Sequence, residues 1–278
     1  MFDKAISAGG VAVITGGASG VGFAAAQDLA RRGLSILLAD VSTDALEQAA
    51  SSLSAQGAQV QTSQTDVRDA DAVGELAEMA RAMGPTAVLM NNAGISRPTS
   101  SWDNAQNWRD LIEVNLFGVL NGVQAFVPGM IYAGRPAVVI NTGSKQGITT
   151  PPGNPGYNVS KAGVKVMTEM LAHELRAAES PISAHLFVPG FTYTGMISSF
   201  IPEKPASAWT SEQTISHLFE RVSAGDFYVL CPDNDVTPEI DQRRVSWSAQ
   251  DIVENRPALS RWHPDYAERF NAFQKSGS

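Results

Sequence analysis

Tyr157 and Lys161 stand four residues apart in a stretch with helical patterning, so their side chains project from one face. A free phenol titrates near ~10 and is a poor base at neutral pH. An ammonium ~5 Å away at an effective dielectric of ~20 favours the phenolate by roughly 3 kcal/mol, about two pKa units. A further positive charge alongside would bring the tyrosine towards a useful general base. Such a pair by itself is common in structural helices, so its weight depends on the residues around it.

A second pattern could hold phosphate. Thr15-Gly16-Gly17-Ala18-Ser19-Gly20-Val21-Gly22 lies between the apolar run Val11-Ala12-Val13-Ile14-Thr15 and a helical stretch over about 21–32. Glycines 16, 20 and 22 allow a tight turn and a close backbone approach, and a pyrophosphate there would meet free N–H groups at a helix N-terminus. Taken alone the run could be a plain turn, but a strand before it and a helix after it are the setting of a dinucleotide site. Asp40 ends the second apolar run, eighteen residues beyond Gly22. A carboxylate there accepts hydrogen bonds from a ribose 2′-OH and repels a 2′-phosphate, and neither Ala18, Ser19 nor Val41 supplies a compensating cation. The pattern favours NAD over NADP; the alternative is a strand-end acid capping the next turn.

The elements that must position these residues alternate. Strand runs at 11–15, 35–39, 59–65, 87–90, 137–141 and 182–188 are separated by helical patterns at 21–32, 43–56, 70–83, 105–132 and 156–179. Parallel strands need crossover connections, and helices on both faces explain strands that are apolar throughout. The expectation is an α/β fold, a Rossmann-type doubly wound parallel sheet with its ligand at the carboxyl ends of the strands. After Pro189 the pattern changes to an apolar segment at about 191–210, a helix over 212–224, a last strand at 227–230, and helices over 238–254 and 264–273. With no repeat or low-complexity linker, residues 1–278 read as one domain with a C-terminal extension over about 211–278.

Further residues fall around the first two patterns. Ser144 lies thirteen residues before Tyr157, Asn91-Asn92-Ala93-Gly94 follows the fourth strand, Asn115 sits in the next helix, and Pro189-Gly190 ends the sixth strand. With Thr15-Gly-x-x-x-Gly-x-Gly, these residues resemble the short-chain dehydrogenase/reductase family from about residue 10 to 196, in family order and spacing. The resemblance implies a tetrad in which Tyr157 is general acid/base and Ser144 holds the substrate oxygen. Lys161 would depress the tyrosine pKa, together with the positively charged nicotinamide, and bind nicotinamide-ribose hydroxyls. Asn115 would hold a proton-relaying water. It also implies cofactor contacts from Gly16, Ser19, Gly20, Val21 and Gly22, from Asp40, from Asp66-Val67 at the adenine, from Asn92, Ala93 and Gly94, and from Pro189, Gly190, Thr192 and Thr194.

In that family the segment after Pro-Gly is a substrate lid. Phe200 and Trp209 are therefore expected to touch a bulky or aromatic alcohol or ketone, as is Gln146, while Lys145 could equally be a purely structural loop residue. Phe227-Tyr-Val-Leu-Cys-Pro232 and the stretch 254–264 depart from the usual family ending and are weakly similar to longer members that oxidise benzylic alcohols of lignin fragments. The resemblance also implies a homodimer or homotetramer built on the helices 105–132 and 156–179, whose Val164, Met167, Met170 and Leu171 are expected to face outward.

Other chemistries find little support. The four histidines are scattered, a single Cys231 excludes an internal disulfide, and no metal site is expected. Gly143-Ser144-Lys145 is not the Gly-x-Ser-x-Gly elbow of a hydrolase. A net charge of −8 without a basic run argues against nucleic acid or anionic membrane as partner. No stretch approaches eighteen consecutive apolar residues, and no secretory signal is visible, so a cytoplasmic protein is expected. The alternatives to an NAD-dependent enzyme are an NADPH-dependent carbonyl reductase, disfavoured by Asp40, and a dinucleotide sensor without turnover, disfavoured by the full Asn/Ser/Tyr/Lys set.

Overall fold

Seven parallel strands form one sheet in the order β3-β2-β1-β4-β5-β6-β7. They are β1 (Val11–Thr15), β2 (Ser35–Asp40), β3 (Val60–Gln64), β4 (Thr86–Asn91), β5 (Ala137–Thr142), β6 (Ile182–Val188) and β7 (Tyr228–Leu230). The computed structural model describes residues 1–198 and 201–275. The chain forms a single Rossmann-type domain, and its strand order reverses between β1 and β4, the switch point where ligands of such sheets sit.

The apolar strands alternate between two helix layers. Ala12 and Ile14 of β1 and Ile36 and Leu38 of β2 face one core, shared with α1 (Phe2–Ser7), α2 (Gly20–Arg31), α3 (Thr43–Ala55) and α10 (Ser211–Ala224). Val11, Val13, Leu37 and Ala39 face the other, shared with α4 (Ala70–Met83), α6 (Gly118–Ala133) and α8 (Pro155–Ala177). Helix α1 was not legible from periodicity. It is one and a half turns long, and its place is fixed by fully buried Phe2, stacked on Phe219 at 5.0 Å.

The helix expected over 105–132 is three pieces: α5 (Ala105–Ile112), a π-helical turn (Glu113–Phe117) and α6. The run Ala105–Ala133 is long and apolar enough, at a mean hydropathy of 1.4, to cross a bilayer by length and composition. Here it packs against α4, α8 and β4 as a layer of the core. Two short helices, α7 (Gln146–Thr149) and α9 (Gly195–Ser198), were not anticipated. Met170 faces outward as expected, but Val164 and Leu171 are buried and Met167 packs on the core, because one face of α8 must cover the sheet.

Beyond β7 the chain adds α11 (Pro238–Val253), two 3-10 turns (Ser260–Trp262 and Pro264–Tyr266) and α12 (Ala267–Lys275). This extension has its own small core around buried Trp247. Phe270 and Phe273 pack on the indole at 5.3 and 5.2 Å, and the Arg256 guanidinium lies 4.0 Å over it. Trp247 Nε1 donates to Ser260 Oγ at 2.8 Å, and Asp251 accepts from Ser260 N at 3.1 Å while pairing with Arg256 Nε at 3.0 Å. The unusual 254–264 stretch is thus what folds the extension back on itself.

Candidate active site

The carboxyl ends of the strands open into a cleft of about 810 Å³, within the range of roughly 300–1,000 Å³ typical of small-molecule sites. Gly16, Ser19, Gly20 and Val21 line it at the end of β1, and Asp40 at the end of β2. Gly22 does not line the cleft. A Cβ there would stand 2.2 Å from the Gly16 carbonyl oxygen, so this glycine lets α2 close onto the turn rather than touch a ligand. The Thr15 hydroxyl accepts from the N–H groups of Asn92 (3.0 Å) and Ala93 (3.1 Å), and Asn92 Nδ2 donates to the carbonyls of Thr15 and Gly16. Asn92 therefore braces the glycine turn against the loop after β4 while it lines the cleft with Ala93 and Gly94. Thr15, the first residue of the motif, thus braces the turn without lining the cleft itself.

Asp40 accepts from the N–H of Ala18 (3.3 Å) and of Ser42 (3.2 Å), so its carboxylate is held beside the glycine turn. Asp66 and Val67 line the cleft after β3. The Arg68 guanidinium, an unanticipated lining residue, hydrogen-bonds Asp66 at 2.5 Å and holds its carboxyl below the usual range. At the end of β6, Pro189, Gly190, Thr192 and Thr194 line the opposite wall. The Thr192 hydroxyl is already engaged, with the Gly190 carbonyl (3.3 Å) and with Thr214 (3.0 Å). The residues present fit a dinucleotide: a turn of glycines with open backbone, an acid at the second strand end and the Thr194 side chain on the wall after β6.

Ser144, Tyr157 and Lys161 all line this cleft. Tyr157 is placed by the start of α8, where Asn154 caps the helix and accepts from Tyr157 N at 3.4 Å. Asn154 is in turn fixed by Thr99, whose hydroxyl donates to it at 2.7 Å and accepts from Gly156 N at 2.9 Å. Pro155 at the first helical position suits that start. Ser144 Oγ accepts from Gln146 N at 3.2 Å, at the first turn of α7. Helix α7 lies directly on α8 because Gly147 has no Cβ; one would stand 2.5 Å from the Lys161 backbone.

The electrostatics differ from the expectation. Burial pushes the Tyr157 phenol up from its ordinary value, opposed by its hydrogen bond with Ser144. Burial also pulls the Lys161 ammonium down to about 8. Lys161 Nζ sits 6.0 Å from the Tyr157 ring centre and donates to the Thr142 carbonyl at 2.8 Å. Both groups share one desolvated pocket, and in the chain alone desolvation outweighs their attraction.

Asn115 is fully buried in the π-helical turn and does not line the cleft. Its amide is spent on protein: Oδ1 accepts from Ile95 N (2.8 Å), and Nδ2 donates to the Ile95 carbonyl (3.0 Å) and to Ser160 Oγ (3.1 Å). It nonetheless approaches Lys161, since a Cβ on Gly94 would stand 3.3 Å from Asn115 Oδ1 and 3.6 Å from Lys161 Nζ.

Of the expected substrate contacts, Gln146 lines the cleft and Phe200 lies outside the described residues. Trp209 does not line it. The indole N–H donates to Asn234 Oδ1 (3.0 Å) and the ring packs on His217 and the core under α10, which makes it an anchor for the segment. In its place the extension supplies Asp233, Val236 and Arg244, none of which the sequence singled out. Lys145 Nζ pairs with Asp241 of α11 at 2.6 Å and lies 3.8 Å from Asp233, so it ties the serine loop to the extension.

The family model for short chain dehydrogenases matches residues 10–205. The chain belongs to the short-chain dehydrogenase/reductase family. It is therefore an oxidoreductase of a family that binds a nicotinamide dinucleotide. A curated relative, the 1-deoxy-11-beta-hydroxypentalenate dehydrogenase of Streptomyces exfoliatus, is 32% identical over 79% of this chain and 82% of its own. A crystal structure of a family member from Burkholderia phymatum in complex with NAD superposes with a TM-score of 0.82 at 31% identity, covering 90% of this chain and 96% of that one. An alcohol dehydrogenase from the archaeon Thermococcus sibiricus, complexed with 5-hydroxy-NADP, gives a TM-score of 0.70 at 26% identity over 77% and 91% of the two chains.

Proposed function

We propose that the protein is an NAD-dependent dehydrogenase interconverting a bulky or aromatic secondary alcohol and its ketone. The observation that carries this reading is the meeting of Ser144, Tyr157 and Lys161 in a cleft whose other end presents the Asp40 carboxylate. When bound, the nicotinamide supplies the hydride acceptor for oxidation or the donor for reduction. Ser144 Oγ holds the substrate oxygen, and the Tyr157 oxygen takes the hydroxyl proton in oxidation or gives a proton to the carbonyl oxygen in reduction. Lys161 has two tasks, to favour the phenolate electrostatically and to hold ribose hydroxyls. Its proximity to Asn115 supports a proton exit through that side; with the Asn115 amide taken up by Ile95 and Ser160, a relaying water there would use the remaining lone pair of Oδ1.

Asp40 supports NAD over NADP, as does the exposed apolar Val41 beside it where a 2′-phosphate would need a cation. The Streptomyces relative supports an alcohol substrate, being named for a hydroxylated compound. Residues 191–210, held by the bridge between Thr192 and Trp209, act as the substrate lid. A homodimer or homotetramer is supported by exposed Phe117 next to α6 and by exposed Val166 and Met170 on α8. The test is a panel of secondary alcohols with NAD or NADP, followed by absorbance of the reduced cofactor. Turnover of aryl secondary alcohols with preference for NAD is expected; absence of turnover with either cofactor overturns the reading.

A further inference from the structure

The cationic groups at the Ser144 end of the cleft are not equivalent. Lys145 already faces two carboxylates, Asp241 at 2.6 Å and Asp233 at 3.8 Å. Asp233 is further committed, accepting from the N–H groups of Phe191 (3.2 Å), Asp235 (3.1 Å) and Val236 (2.8 Å). Arg244 lies one helical turn beyond Asp241 on α11, which packs on α7 just after Ser144, and it lines the cleft. Its Nε is buried without a hydrogen-bond partner, and the guanidinium makes no ion pair among the described residues. A second guanidinium, Arg261, is brought down to about 10 by burial first and by the charge of Arg244 second. The other lining acids are Asp40 at the end of β2, Asp66, which pairs with Arg68, and Asp110, which also lies in the field of Arg68.

A guanidinium carries five donors in a planar fork that matches a carboxylate, and leaving a buried donor such as the Arg244 Nε unpaired is costly. Asp241 and Asp233 together balance the charges of Lys145 and Arg244, and Asp241 lies in the field of Arg244. Both carboxylates are engaged by Lys145 or by backbone N–H groups, however, so the Arg244 fork keeps donors without a partner of their own inside the cleft. We propose that Arg244 is a specificity-determining residue that binds a carboxylate on the substrate, so that the preferred substrates are secondary hydroxy acids and their keto acids. The inference rests on the dehydrogenase reading and narrows it. The exposed Arg97, which also lines the cleft, adds a second cation at its rim.

The test compares acids with their neutral esters. 4-(1-Hydroxyethyl)benzoate and 5-hydroxyhexanoate are assayed with NAD beside their methyl esters, for the wild type, Arg244→Met and Arg244→Lys. At least one acid should exceed its ester about tenfold or more in kcat/KM. Arg244→Met should bring that ratio near one through KM, and Arg244→Lys should keep part of it. An acid-to-ester ratio that survives in Arg244→Met overturns the proposal, as does a wild type indifferent to the acid. Loss of NAD affinity with an unchanged ratio also overturns it, since the cation would then serve a cofactor phosphate. Absence of all turnover would count against the dehydrogenase reading alone. Calorimetric titration of 4-acetylbenzoate and its methyl ester into the NADH-loaded protein then decides: acid-selective binding lost in Arg244→Met supports the proposal, and equal binding overturns it. Unfolding midpoints of the variants close to wild type would exclude a folding defect as the cause.

Discussion

Lys161 is a costly residue to bury, and replacing it should reveal that cost. In the folded chain without cofactor burial brings its ammonium down to about 8 from 10.5, a difference corresponding to about 3 kcal/mol of destabilisation below that range. Lys161→Met removes the charge and also the hydrogen bond to the Thr142 carbonyl, which returns about 1.5–3 kcal/mol. At pH 7 the variant should therefore be more stable than the wild type by roughly 1 kcal/mol. Between about 8 and 10.5 the native lysine has lost its proton while the unfolded one keeps it, so the unfolded state binds more protons. Wild-type stability must then rise with pH relative to the variant by about 2 kcal/mol between pH 7 and pH 9.5, enough to reverse the sign of the gap. Urea unfolding followed by tryptophan fluorescence at the two pH values reads this directly. A gap that is the same at both values would refute the reasoning, because burial would then not be what perturbs Lys161. Turnover should fall in the same variant, making Lys161 a case of stability given up for activity.

Asp40→Ser combined with Val41→Arg should narrow or invert the preference for NAD over NADP, read as the ratio of kcat/KM values; an unmodified protein that prefers NADP would contradict the assignment of Asp40. Trp247→Ala should lower unfolding stability by about 3–5 kcal/mol, since the indole is buried under Phe270, Phe273 and Arg256. The same variant should raise KM for alcohols while leaving NAD affinity near wild type, because α11 carries Asp241 and Arg244 and the glycine turn lies elsewhere. Equal weakening of both ligands, by calorimetry and steady-state kinetics, would show that the extension does more than shape the substrate end.

Most of the sheet was legible because its strands are continuous apolar runs, the polar β3 (Val60–Gln64) being the weak one. The glycine turn and Asp40 were legible from their places at strand ends, and Ser144, Tyr157 and Lys161 from their spacing together with the resemblance to the family. What stayed hidden depends on tertiary contact. Nothing in the spacing of Lys145, Asp233 and Asp241 says that they meet, since they are brought together by the packing of α11 on α7. Trp209 has the composition of a lid residue but packs, half-buried, against the edge of the core and His217, with its N–H held at the surface by Asn234. The expected depression of the Tyr157 pKa used a distance and a dielectric for a wet helix face. Burial of both groups removes that solvent, which pushes the phenol up and the ammonium down.

The central claim is that the Tyr157 oxygen transfers the proton of the reacting hydroxyl. Tyr157→Phe keeps the ring and its packing at the start of α8 while deleting that oxygen. Measured on an oxidised secondary alcohol with saturating NAD, its kcat should fall by at least ~10², with NAD affinity retained. Turnover within a few-fold of wild type would contradict the account.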